Sequence, residues 1–90
     1  MGEKRFRRSP QALHAAIGDD VVALQAQRGS CFGLENVTAE VWRLLEQEPT
    51  LQELCDRLVE EYEVDPLVCR SEVASLLEAM REEGLVELAS

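Results

Sequence analysis

The side chains of this sequence best able to do covalent or metal chemistry are one histidine, His14, three cysteines, Cys31, Cys55 and Cys69, and five serines, Ser9, Ser30, Ser71, Ser75 and Ser90. A nucleophile needs a base within hydrogen-bond reach, and the base needs a group that orients it. No motif here sets a serine or cysteine beside the single imidazole, so no catalytic residues are assigned and the chain is read as a non-enzyme. The cysteines are odd in number and widely spaced, whereas disulfide frameworks favour even counts and zinc sites favour close pairs. They read as three small buried hydrophobes. The run Glu60-Glu61-Tyr62-Glu63 lacks the alternating Asp/Asn ladder of a calcium loop and reads as a solvated face. No glycine-rich phosphate loop is present, and neither metal nor cofactor is expected. None of the serines is preceded by Asp and followed by Leu, which disfavours an acyl carrier protein.

If the chain does no chemistry of its own, what it presents to others matters more. Ninety residues make one domain. No apolar run reaches the ~20 residues of a membrane helix, and the basic start MGEKRFRRSP leads into no apolar segment, unlike a secretory signal. A cytoplasmic protein without a membrane partner is the expectation. The formal charge is −9, but residues 1–8 carry +3, leaving −12 on the rest. So acidic a body repels phosphate backbones, so nucleic acid is not an expected partner. Residues 1–11 read as a basic, flexible N-terminal tail and residues 12–88 as the folded domain.

Within that domain the period of the apolar residues changes once. Gly18-Asp19-Asp20 and Arg28-Gly29-Ser30 cut the first third into three extended pieces. Leu13 to Ile17 is the first; in the second, Val22, Leu24 and Ala26 alternate with Ala23, Gln25 and Gln27; Phe32 and Leu34 continue the alternation on the third. Then Val37, Val41, Leu44 and Leu45 form a helical stripe, capped by Asn36 or Thr38. Thr50-Leu51-Gln52-Glu53 is a capping box, followed by Leu51, Leu54, Cys55, Leu58, Val59 and Tyr62 on one helix face. Asp65-Pro66 opens a third helix with an N-cap and an N1 proline. Its stripe is Cys69, Val73, Leu76, Leu77 and Met80, and Gly84 ends it as a left-handed C-cap. Leu85 to Leu88 returns extended. The fold class is α+β: a three-stranded antiparallel N-terminal sheet followed by three helices, winged helix-turn-helix-like with the sheet placed first.

A meander has two edges, and an exposed edge is either protected or used. Cys31 to Leu34 is short, carries Gly33 where another backbone could come close, and runs into a helix. It suits strand addition by a peptide, with apolar pockets beside it supplying selectivity. The rival readings are a winged-helix DNA-binding regulator, which the acidic body opposes, and a dimerisation module that pairs this edge with itself.

From "DDVVALQAQRGSCFGL" through "VWRLLEQEPTLQELCDRLVEEYEVD" to "EVASLLEAMREEGLVE", the sequence resembles PqqD-like proteins, the recognition elements for ribosomally made, modified peptides. Phe32-Gly33-Leu34, Val41-Trp42-Arg43-Leu44-Leu45, Tyr62-Glu63-Val64-Asp65 and Gly84-Leu85-Val86 carry the likeness. It is closest to the free-standing members of lasso-peptide biosynthesis. The resemblance implies that residues 12–88 bind the leader segment of a precursor peptide. The leader would add as a strand beside Ser30, Cys31, Phe32, Gly33 and Leu34 and lie against Val68, Cys69, Glu72, Val73, Leu76 and Met80. Arg70 or Glu72 could orient a charged leader side chain; Phe32, Leu34 and Trp42 are equally candidates for the core, and core is favoured for Leu34 and Trp42. The resemblance also implies a second partner, a separate cysteine protease that removes the leader. One departure stands out: many relatives place Asn directly after the strand leucine, whereas Glu35 precedes Asn36 here.

Overall fold

The chain is described, in a computed structural model, over residues 4–89. In chain order the elements are β1 (Phe6–Arg8), β2 (Ala12–Ile17), β3 (Asp20–Gln25), β4 (Ser30–Leu34), α1 (Asn36–Leu44), α2 (Leu51–Glu61), α3 (Pro66–Glu82) and β5 (Val86–Leu88), with one 3-10 turn over Leu45–Gln47. The strands make two antiparallel sheets, one ordered β2-β3-β4 and one of β1 with β5.

The meander follows from its turns. Ile17 pairs with Asp20 across the two residues Gly18 and Asp19, and Gly18 takes φ +62°, the positive φ that a tight hairpin turn requires. A longer turn, closed by the Gly29 N–H on Gln25 O at 2.8 Å, joins β3 to β4. On the face toward the helices, Val21 is opposite Leu34 and Ala23 opposite Phe32. Val21, Ala23 and Leu34 are buried. The period expected for β3 is correct and the phase is not: Val22 and Leu24 lie on the outer face, only partly buried. Both faces of β3 are apolar, so period two alone does not say which turns inward. The inner set even includes Gln25, 3 % exposed. Its amide donates to Gly84 O at 3.2 Å and accepts the Arg28 N–H at 2.8 Å, which satisfies a polar group that burial would otherwise penalise.

The helices start and stop close to their local signals. Thr50 and Glu53 form the complete capping box of α2, with N–H to oxygen distances of 3.1 and 2.9 Å. Asp65 caps α3 through the Leu67 and Val68 N–H groups, with Pro66 at its first turn. At the other end Gly84 takes φ +78°; the Leu85 N–H reaches Met80 O and the Gly84 N–H reaches Arg81 O, a Schellman closure. The first helix departs from expectation. Neither Asn36 nor Thr38 caps it; Glu35 is the N-cap residue and makes no side-chain bond. Asn36 instead adopts φ +51°, a left-handed backbone that asparagine tolerates better than most residues.

A single N-terminal sheet was also an incomplete expectation. Phe6–Arg8 is not free chain: it pairs with Val86–Leu88, Phe6 opposite Leu88 and Arg8 opposite Val86. Residues 1–3 of the expected tail lie outside the described residues. Arginine side chains add contacts to this ladder. Arg5 bridges to Glu53 at 3.0 Å and donates to Glu48 O, and Arg7 pairs with Glu87. Arg8 donates to Trp42 O at 2.7 Å and sits 5.1 Å over the indole, a cation–π geometry. The basic run thus docks on the acidic body it was set against in sequence.

Between the meander and the helices, Val41, Trp42, Leu45, Leu54, Leu58 and Leu77 are fully buried. Cys55 and Cys69 join this core, but Cys31 is exposed. That corrects the reading of three buried thiols: Cys31 stands on the outer face of β4, opposite Leu24.

Candidate functional site

The site begins with the free backbone of β4. In an antiparallel ladder, alternate residues aim their N–H and C=O groups at the partner strand and the others aim them away. The Ala26 N–H to Gln11 O bond at 2.9 Å and the paired register of β2, β3 and β4 fix that alternation. Ser30, Phe32 and Leu34 point their backbone groups at β3; Cys31 and Gly33 point theirs outward. Among the described residues, no backbone hydrogen bond beyond the sheet reaches Cys31, Phe32, Gly33 or Leu34. A Cβ placed on Gly33 would meet no atom within 4 Å, so the outer face of β4 is also uncovered there.

Beyond the C-terminal end of β4, a groove of about 350 Å³ opens between the helices. One wall is the N-terminal half of α3: Val68, Cys69, Glu72, Val73 and Leu76. The other is Val37 and Thr38 of α1 with Leu58, Tyr62 and Val64 from the end of α2 and the segment after it. The helical spacing of the α3 residues sets them on one side, and Asp65-Pro66 fixes where that side begins. Val64 and Val68 are 40 % and 56 % exposed, so the groove offers uncovered apolar surface to a ligand.

The structure therefore sorts the residues expected at the site into three groups. Cys31 and Gly33 carry the free edge. Val68, Cys69, Glu72, Val73 and Leu76 share one groove. Leu34 and Met80 belong to the core, 6 % and 4 % exposed, while half-buried Phe32 packs against that core and Ser30 faces the same way. Trp42 is core, as favoured. Arg70 points elsewhere and donates to Gln52 on α2 at 2.7 Å, which leaves Glu72 as the charged member of the groove wall. Val37, Thr38, Leu58, Tyr62 and Val64 were not expected at the site from the sequence. For Val64 a signal existed, an apolar side chain in the acidic break between two helices. For Val37 and Leu58 none did, since both simply continue a helical stripe.

The groove's lining carries one carboxylate, Glu72. Glu61 lies within hydrogen-bond reach of Glu40, and that shared contact, followed by their mutual repulsion, raises the Glu61 pKa. Behind the floor, burial and then the neighbouring Cys69 push the Cys55 thiol up to about 11. Cys55 is a protonated packing group, not a thiolate nucleophile. Among the described residues, no cluster of three or more His, Cys, Asp or Glu is arranged to hold a metal ion, and no helix is long and apolar enough to cross a membrane.

Comparison with known proteins gives the family and the fold. The family model described as coenzyme PQQ synthesis protein D (PqqD) matches residues 20–86. A solved structure of TbiB1 in complex with the TbiA(beta) leader peptide superposes with a TM-score of 0.86 at 33 % identity, covering 90 % of this chain and 94 % of TbiB1. A lasso peptide synthetase B1 complexed with the leader peptide shares the fold, with a TM-score of 0.82 at 23 % identity over 91 % and 96 % of the two chains. A search of curated proteins found no match.

Proposed function

This chain belongs to the PqqD family, and we propose that it binds the leader segment of a ribosomally made precursor peptide, probing it at the β4 edge and the adjoining groove. The observation that carries the proposal is the close likeness over nearly the whole chain to a protein solved with a leader peptide bound. The open backbone of Cys31 and Gly33 beside an uncovered apolar groove supports the same reading. The leader adds antiparallel or parallel to β4 as a fourth strand, exchanging hydrogen bonds with those two residues. Its apolar side chains enter the groove between Val37, Tyr62, Val64, Val68 and Leu76. The precursor is one of lasso-peptide biosynthesis.

In this scheme the protein is a cytoplasmic adaptor without catalysis of its own. A separate cysteine protease, the leader peptidase, cuts the peptide that the adaptor holds, and tethering raises the precursor's effective concentration at that enzyme. A winged-helix regulator of DNA is the weaker reading: α3 carries Arg70 and Arg81 against Glu72, Glu78 and Glu82, the wrong sign for a duplex.

The test is a calorimetric titration with the leader half, and separately the core half, of the precursor peptide encoded beside this chain's gene. Saturable binding of the leader half alone is expected. Gly33→Pro removes an outward N–H at an edge position where proline is tolerated, and it is expected to weaken binding about tenfold or more. Equal affinity in a folded Gly33→Pro variant would count against strand addition. Binding of neither half would remove the leader reading while leaving the fold intact.

A further inference from the structure

The meander has a second free edge, and leader binding at β4 does not use it. β2 runs Ala12-Leu13-His14-Ala15-Ala16-Ile17 and pairs without interruption along β3. The same alternation that turns Cys31 and Gly33 outward on β4 turns Ala12, His14 and Ala16 outward on β2. The Ala12 N–H is taken by Ser9 O at 3.0 Å. Apart from the ladder to β3, no backbone hydrogen bond reaches Leu13 to Ile17 among the described residues. Natural edges are blunted by charge, proline, a bulge or a covering element. This one has no Asp, Glu, Lys or Arg between residues 12 and 18 in a chain of net charge −9, and its register contains no bulge. Beside the edge, on the outer face of the sheet, Leu13 is 57 % and Ile17 62 % exposed.

We propose that β2 is a self-association edge, where a second copy of this chain pairs antiparallel about a two-fold axis at Ala15. The register follows from the pattern of faces. For the outer faces of both sheets to stay continuous, odd residues must lie opposite odd residues. Centring on Ala15 sets Leu13 against Ile17 of the second copy, and Ile17 against its Leu13. Both are non-hydrogen-bonded pairs, the kind in which side chains approach most closely. The outward N–H and C=O groups of His14 then exchange bonds with those of Ala16 in the second copy, and the reverse. Pro10, which has no N–H to donate, ends the ladder at one side, and the Gly18 turn ends it at the other.

Charge favours a contact through the meander over one through the helices. Eleven units of the net negative charge belong to residues 35–89 and only one to residues 12–34, so two copies meeting at β2 join their least charged segments. The contact is small beside the ~800 Å² per partner of a standard interface. The dimer is therefore a weak one, populated only at high concentration, and it leaves β4 free in both copies.

Sedimentation equilibrium over roughly 10 µM to 1 mM, the range in which small interfaces dissociate, is the test. The weight-average mass of the native chain should rise from 10.1 kDa toward twice that value. Ala16→Pro, which deletes an outward donor, and Ile17→Lys, which sets an exposed charge in the apolar pair, should hold it at the monomer mass. Ile17 is solvent-facing, so that variant folds even if Ala16→Pro disturbs β2. Gly33→Pro should associate like the native chain, and Ile17→Lys should titrate the leader peptide like the native chain. A native mass that stays at 10.1 kDa throughout, association unchanged in Ile17→Lys, or association lost in Gly33→Pro instead would each overturn the proposal.

Discussion

At Gly84 a single residue carries two requirements at once. Its φ of +78° lies in the left-handed region, and a Cβ there would stand 2.9 Å from Gln25 Nε2. That nitrogen belongs to the buried amide that bonds Gly84 O, so helix end and strand β3 are fastened at one point. Gly84→Ala is expected to lower stability by about 1–3 kcal/mol, read as a lower urea midpoint with an unchanged slope. Cysteine chemistry divides at the same scale. Cys31 is exposed, whereas Cys55 and Cys69 are buried. An aromatic disulfide reagent should therefore titrate one thiol quickly in the native protein and the other two only on unfolding. With its folded pKa raised to about 11, Cys55 favours the protonated native state. As pH climbs above the ordinary thiol value, the unfolded chain loses its proton first, so this contribution to stability falls across roughly pH 9–11.

Among the elements, α2 owes its start to Thr50 and Glu53, and α3 owes its exposed wall to Asp65-Pro66. Thr50→Ala should cost about 1 kcal/mol, the usual value of an N-cap. The partner carboxylate gives that cap a pH signature. The Glu53 pKa is held below its ordinary value, first by the Thr50 N–H and then by the charge of Arg5. A depressed carboxylate stabilises the fold at neutral pH and loses that effect as pH falls through its folded pKa. The gap in thermal midpoint between native and Glu53→Gln proteins should accordingly close on acidification below about pH 4. In α3, Val68 is more than half exposed, so Val68→Asp should leave the melting temperature nearly unchanged while weakening leader binding by about tenfold or more. Equal loss of stability and binding would mean that Val68 supports the fold instead of the ligand.

For the whole molecule, the first strand decides how the ends of the chain behave. Phe6 packs against the core, Arg8 reaches across to α1, and β1 completes a sheet with β5. Deleting residues 1–8 should destabilise the protein by about 2 kcal/mol or more, given the apolar area of a half-buried Phe alone. Denaturant unfolding of the truncated chain measures this, and an unchanged midpoint would restore the picture of a free basic tail.

Local chemistry explains what was legible without coordinates. The capping box at Thr50, the Asp65-Pro66 start and the Gly84 stop are local signals, so the start of α2 and both ends of α3 could be read directly, whereas the start of α1 could not. The motifs around Phe32-Gly33-Leu34 and Val41-Trp42 carried the family, and with it the expected strand and helix of the site. Tertiary structure decided what depends on partners distant in sequence. The phase of β3 was undetermined because Val21 and Val22 are equally apolar, and only packing against the helices turns one of them in. Met80 and Leu34 lie on the expected elements, but the fold sends them to the core and gives the groove Val37, Leu58 and Val64 in their place. The pairing of Phe6–Arg8 with Val86–Leu88 left no sequence signal beyond opposite charge. A two-stranded contact between the ends of a chain is specified by the body that holds both strands in place.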